Sequence, residues 1–276
     1  MRSTMDAFLH NTPGGSSAFV PAMEPLAARV GGVSYPSMTC DPAQWSGNLA
    51  KAGQLLQVDA LVLGFTEVIN GCLETAVEAL GRLIQTAGNE FCCIAAMTGP
   101  VTLAMRLDTT DDQAGELKQI TVEIARALCH KRPDLLLFRE GPAICANDIG
   151  MPQRKAFNTL RNVAKYFNIP TAIYVEGYTP KTLTSIDKLK MDFYFFGATA
   201  QGSIPDPGLF VELAQRVNGI GVALPFDDVT AALRHAELCR KTLAGKNVLF
   251  TSAGDLARDT DLDTARAITS GLKSLC

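Results

Sequence analysis

The sequence predicts an α/β fold, a (β/α)8 barrel. Three observations lead there. Eight short apolar runs recur along the chain, separated mostly by helix-periodic stretches. Most of these runs are hydrophobic at every position, as parallel strands covered on both faces are. The 276 residues suit one barrel, which takes about 250.

The elements follow in order. The first strand is residues 18–21, preceded by Gly14-Gly15-Ser16-Ser17, read as a flexible turn. A helix over 42–56 leads to a strand over 59–65, and a helix over 72–86 to a strand over 91–97. A helix over 112–131 precedes the strand 134–139, and a helix over 151–167 precedes the strand 171–175. The strand 192–196 follows. A helix over 207–217 leads to the strand 219–224, and one over 227–243 to the strand 247–251; a helix over 261–275 ends the pattern. Several of these helices open on Pro, Asp or Thr, which suit helix starts. Strict alternation implies a parallel sheet. An open doubly wound sheet is the alternative, but it would want a glycine-rich phosphate turn after the first strand. That strand instead ends in Val20-Pro21-Ala22-Met23-Glu24. No repeat or linker divides the chain, so residues 1–276 are expected to form one barrel domain.

Composition narrows the function. The formal net charge is -3, with both signs dispersed, which speaks against a nucleic-acid partner. No apolar run approaches the roughly 18 residues of a membrane span, and the start of the chain lacks a signal-peptide core. A cytoplasmic location is expected. The eight cysteines contain no CxxC pair. Cys92 and Cys93 lie in an apolar strand, and most of the others read as small buried hydrophobes, with Cys145 the least certain. His10, His130 and His235 avoid the strand ends and read as surface or packing residues.

In a barrel, chemistry gathers where strands end and loops begin. The second strand ends in Phe65-Thr66-Glu67. The third runs into Thr98-Gly99-Pro100-Val101-Thr102-Leu103-Ala104 and, beyond it, Arg106. Pro100 suits a first helical position, and Gly99 has no Cβ, so a ligand could approach the backbone there. The fourth strand ends in Arg139-Glu140-Gly141, the fifth in Tyr174-Val175-Glu176-Gly177, and the eighth in Ser252-Ala253-Gly254-Asp255. Glu67, Glu140, Glu176 and Asp255 therefore point to a single acidic mouth. Crowded carboxylates raise one another's pKa, which suits acid–base work. Asp227 and Asp255 could alternatively cap the helices that follow them. Arg106 and Arg139 are read as the internal counterions, and Arg139 could equally face outward; both placements of Arg139 remain open.

These segments resemble the uroporphyrinogen decarboxylase superfamily, which includes corrinoid-linked methyltransferases. Residues 98–104 resemble its Thr-Gly-Pro-x-Thr-Leu-Ala turn, and Phe65-Thr66-Glu67 its Phe-Ser-Asp. Residues 139–143 fall where the family has an acidic residue, and residues 251–255 resemble its closing Ser-x-Gly-Cys. The resemblance implies a (β/α)8 barrel. It also marks departures. The methyltransferases carry His-x-Cys and a later Cys as zinc ligands; here Tyr174, Glu176 and Asp255 stand instead. Zinc is therefore not expected, whereas a hard ion such as Mg²⁺ could be held by oxygen ligands. The decarboxylases' arginine-rich clamp is reduced to Arg29 in residues 23–29.

What the resemblance implies is an enzyme that transfers or removes a one-carbon group, chiefly methyl, on a small molecule. Glu67, Glu140, Glu176, Asp255 and Tyr174 would be catalytic. Phe65, Gly99, Pro100, Thr102, Arg106 and Arg139 would bind substrate. A corrinoid or another methyl donor, a corrinoid protein partner and a homodimer are compatible with it. The alternatives are a decarboxylase of a small acid and a non-catalytic corrinoid-binding or small-molecule-binding barrel.

Overall fold

The computed structural model describes residues 2–12, 17–64, 72–108, 114–146 and 148–275. Gly14, Gly15, Ser16, Phe65, Thr66 and Glu67 lie outside the described residues. The chain opens with α1 (Arg2–Leu9), α2 (Glu24–Val30), α3 (Tyr35–Thr39) and α4 (Pro42–Leu56). There follow β1 (Ala60–Leu63), α5 (Leu73–Ala87), β2 (Cys92–Thr98), α6 (Pro100–Arg106), α7 (Ala114–His130) and β3 (Leu135–Glu140). Next come α8 (Met151–Tyr166), β4 (Thr171–Val175), α9 (Pro180–Leu183), β5 (Phe193–Phe196) and β6 (Gly219–Leu224). The chain continues through α10 (Val229–Thr242), β7 (Val248–Ser252) and α11 (Leu262–Ser274).

The long helices begin where the sequence places a cap. Asp41 accepts from the Ala43 and Gln44 amides ahead of α4. Asp261 caps α11. Asp228 caps α10, one residue beyond the Asp227 considered from the sequence. The helix expected over 207–217 is instead two 3-10 turns, Pro207–Phe210 and Leu213–Gln215. Asp206 caps the first of them through the Gly208 amide at 2.7 Å, and Gly208, a poor helix former, sits within that first turn.

Among the described residues, seven parallel strands are ordered β1 to β7. The strand expected at 18–21 makes only isolated bridges, Phe19 to Phe250 and Ala22 to Asp255. Pro21 has no N–H to extend a ladder. The segment still occupies the eighth stave. The Val20 amide donates to Phe250 O at 2.8 Å, and the Asp59 amide donates to Phe19 O at 3.0 Å. The Asp59 carboxylate in turn accepts from the Phe19 amide at 2.8 Å. Residues 18–22 thus bridge β7 and β1 and close the barrel.

Alternation along the strands separates two cores. Val62, Ile94, Ala96, Leu137, Ala172, Tyr174, Phe195 and Leu249 face inward. Leu61, Ala95, Leu136, Phe138, Ile173, Phe196 and Phe250 face the helices. α1 covers the end where the strands begin: Met5 and Phe8 join the inner core, and the Phe8 and Phe193 ring centroids are 4.9 Å apart. Among the described residues, no helix is long and apolar enough to cross a membrane.

Candidate active site at the barrel mouth

Strand parity decides which strand-end side chains enter the mouth. Leu135 and Leu137 belong to the inner core, so Arg139, two residues on, also faces inward. Its guanidinium meets two carboxylates. Nη2 lies 3.3 Å from Glu176 Oε1 and 3.4 Å from Oε2, and Nη1 lies 3.6 Å from Asp255 Oδ2. All three side chains are mostly buried. Arg139 is therefore the internal counterion of the two alternatives the sequence leaves open.

The backbone sets this geometry. Arg139 is in register with Tyr174, and the Glu176 amide donates to Glu140 O at 3.0 Å. Asp255 is fixed by its bridge to Ala22, not by capping a helix. Tyr174 lies just below the ion cluster and donates its hydroxyl across the barrel to Ser252 O at 3.0 Å. That reach requires Gly197: a Cβ there would collide with the Tyr174 hydroxyl and come within 2.6 Å of Ala253 O.

Burial raises the Glu176 pKa above the usual carboxylate range, and the charge of Asp255 adds to the rise; Arg139 opposes both. Burial, followed by the charge of Glu176, raises the Tyr174 phenol well above its ordinary value, so the phenol is neutral. Two carboxylates share one guanidinium here. Residues 65–71 and 109–113 contain no Lys, Arg or His, so they bring no further cation.

Glu140 differs from the expectation that it shares this mouth. Its neighbours Leu136 and Phe138 face the helices, and so does Glu140. The carboxylate is fully buried at the start of α6. Oε1 accepts from the Val101 amide at 3.0 Å; Oε2 accepts from the Thr102 amide at 2.8 Å and from Thr102 Oγ1 at 2.5 Å. Burial raises its pKa to about 7, opposed by the Thr102 and Val101 hydrogen bonds.

This explains the Thr-Gly-Pro turn locally. The space that a Gly99 Cβ would fill is taken by the Glu140 carboxylate, so the close approach inferred from the sequence is made by the chain itself. Pro100 opens α6 and is buried. Thr102 is committed to Glu140, and its Oγ1 accepts from the Gly141 amide at 2.8 Å. Arg106 is exposed in the last turn of α6. Phe65 and Glu67 lie outside the described residues. Cys145 is half-buried, and burial pushes its thiol up to about 11, which leaves it unreactive.

Glu24 escaped the sequence reasoning. It is fully buried, and Oε1 accepts from Trp45 Nε1 at 2.8 Å and from the Gly64 amide at 2.9 Å. It thereby anchors the chain just beyond the end of β1. The available signal was a lone carboxylate before a proline in an apolar stretch that also needs a partner for the single tryptophan.

Fold and mouth together define an α/β barrel with an ionic cluster at the C-terminal ends of its strands. No protein-family model and no curated protein sequence matches the chain. Solved structures do. A methyltransferase from Methanosarcina mazei superimposes with a TM-score of 0.75 at 13% identity, covering 99% of this chain and 98% of that one. The homocysteine methyltransferase MmuM from Escherichia coli gives a TM-score of 0.59 at 7% identity, covering 97% and 99%. A D-allulose 3-epimerase from Methylomonas sp. gives 0.58 at 10% identity, covering 95% and 98%. At such identities the likeness establishes the barrel fold, which hosts many chemistries.

Proposed function

We propose that this barrel is an enzyme of the uroporphyrinogen decarboxylase type that moves a methyl group to or from a small molecule by carboxylate acid–base chemistry, without zinc. The observation that carries this reading is the convergence of Glu176 and Asp255 on Arg139 at the mouth. The end-to-end likeness to the Methanosarcina methyltransferase supports the class of reaction.

The donor set does not fit zinc. The group between the Glu176 and Asp255 carboxylates is already a cation, the Arg139 guanidinium. Among the described residues, no three His, Cys, Asp or Glu side chains are grouped to hold a metal.

Methyl transfer to a protonated acceptor forms the acceptor–methyl bond, breaks the donor–methyl bond and releases the acceptor's proton. Glu176 is suited to take that proton because burial favours its neutral form. Asp255 holds Arg139 in place, and Tyr174 fixes the floor through Ser252. Decarboxylation of a small acid is less well served: its carboxylate would compete for an arginine that already faces two carboxylates.

The test is demethylation of methylcobalamin in the presence of a panel of thiols and amines, followed by its visible spectrum. The rate should rise with pH as Glu176 ionises. Glu176→Gln should lower it by about a hundredfold or more. An unchanged rate in that variant would refute the assignment. Tight corrinoid retention without turnover would make the protein a binding barrel.

A further inference from the structure

A second concave feature lies far from the mouth. α7 and α8 run antiparallel to the strands, so their C-terminal ends lie at the opposite end of the barrel. There a groove of about 640 Å³ opens between the two helices. Val122, Val163 and Phe167 form an apolar floor, while Arg126, His130 and Tyr166 stand around it. Arg126 and His130 are four residues apart and share one face of α7. The Phe167 ring is met edge-on by His130, with centroids 4.8 Å apart, and by Tyr166 at 5.1 Å. Tyr166 is 82% exposed, a large aromatic surface left to solvent.

Arg126 carries the formal charge in the groove's lining, while Glu123, beside Val122 on α7, stands outside that lining and is exposed. No carboxylate lines it, and Arg126 forms no ion pair among the described residues. Residues 149–175 hold Arg154, Lys155, Arg161 and Lys165 and no acidic residue, a +4 stretch in a chain of net charge -3. On the other side of α8, a smaller groove is lined by Arg154, Lys155, Lys188 and Lys190. This wall of the barrel therefore attracts anions, and an apolar floor beside a guanidinium selects among them.

We propose that the α7–α8 groove binds a small amphiphilic anion, with a planar apolar body against Val122, Val163 and Phe167 and an anionic group on Arg126 and His130. The groove's volume lies within the roughly 300–1,000 Å³ of small-molecule sites. Arginine matches a planar carboxylate or a sulfonate through two parallel N–H donors. Tyr166 supplies an aromatic edge at the rim. The site is independent of the chemistry at the mouth.

The probe is 8-anilinonaphthalene-1-sulfonate, titrated by fluorescence into the full-length native protein, with its uncharged analogue N-phenyl-1-naphthylamine as comparison. One saturable site is expected, with the uncharged analogue binding more weakly. Arg126→Glu should weaken sulfonate binding about tenfold or more, the scale of one charge-assisted hydrogen bond. Val163→Trp should weaken both probes by filling the floor. Thermal melts confirm that each variant is folded, and Arg126→Glu alone decides if Val163→Trp is not. Absence of saturable binding overturns the proposal. So does wild-type affinity in either folded variant, or equal affinity for the uncharged analogue.

Discussion

Substituting Gly99 by Ala tests how the Thr-Gly-Pro turn and Glu140 depend on each other. Gly99 has φ -71° and ψ 158°, a conformation that alanine adopts without strain, so any cost comes from the side chain. The added Cβ would overlap the Glu140 carboxylate, within 2.5 Å of Cδ and 2.7 Å of Cγ. The carboxylate must then move away from the Val101 amide, the Thr102 amide and the Thr102 hydroxyl that it now accepts from. Above pH 7, where Glu140 is ionised, each hydrogen bond to it contributes about 1.5–3 kcal/mol. Losing one or two of them inside a packed site should cost about 3 kcal/mol or more, roughly 6–10 °C in Tm. Thermal and urea denaturation measure this. The decisive measurement is a double-mutant cycle. Glu140→Ala alone should also cost about 3 kcal/mol, since it exposes the start of α6. In that background, Gly99→Ala should cost less than about 1 kcal/mol, because the clashing atoms are gone. Additivity within about 0.5 kcal/mol would refute the reasoning.

Glu140 also predicts a pH dependence. Its folded pKa is raised from 4.5 to about 7. The native state therefore holds the proton more tightly than the unfolded chain. The corresponding stability is fully present below about 4.5 and is lost as pH rises through about 7, on the order of 3 kcal/mol. Glu140→Gln should flatten stability between those limits.

Other changes probe the mouth. Arg139→Met should leave Glu176 and Asp255 facing each other and cost about 1–3 kcal/mol at pH 8. The loss should shrink on acidification as Glu176, whose pKa is raised by burial, takes a proton, and melts showing a pH-independent loss would contradict the ion cluster. Tyr174→Phe should cost about 1 kcal/mol in chemical denaturation by leaving Ser252 O without its donor; no change would argue against the cross-barrel bond. Elemental analysis of protein purified without chelator should find no stoichiometric zinc, and one tightly held zinc per chain would overturn the donor-set argument.

The sequence by itself determined the alternation of elements. Continuous apolar runs such as residues 91–97 and 171–175 suit parallel strands covered on both faces, so the barrel was legible. Asp41-Pro42 set the start of α4 through purely local capping. The convergence of Glu176 and Asp255 was legible too, because both follow strands that leave one end of the barrel. What only the tertiary structure decided was the face each strand-end residue presents. Adjacent residues on a strand point to opposite sides, so a shift of one position sends Arg139 into the mouth and Glu140 toward α6. Nothing in the string Phe138-Arg139-Glu140 fixes that parity; the inner packing of Leu135 and Leu137 does. The partnership of Gly99 with Glu140 spans 41 positions of sequence, and that of Glu24 with Trp45 spans 21. Such long-range pairs exist only once the barrel closes, and closure rests on residues 18–22, which the sequence marks as a strand but whose pairing the structure reduces to isolated bridges.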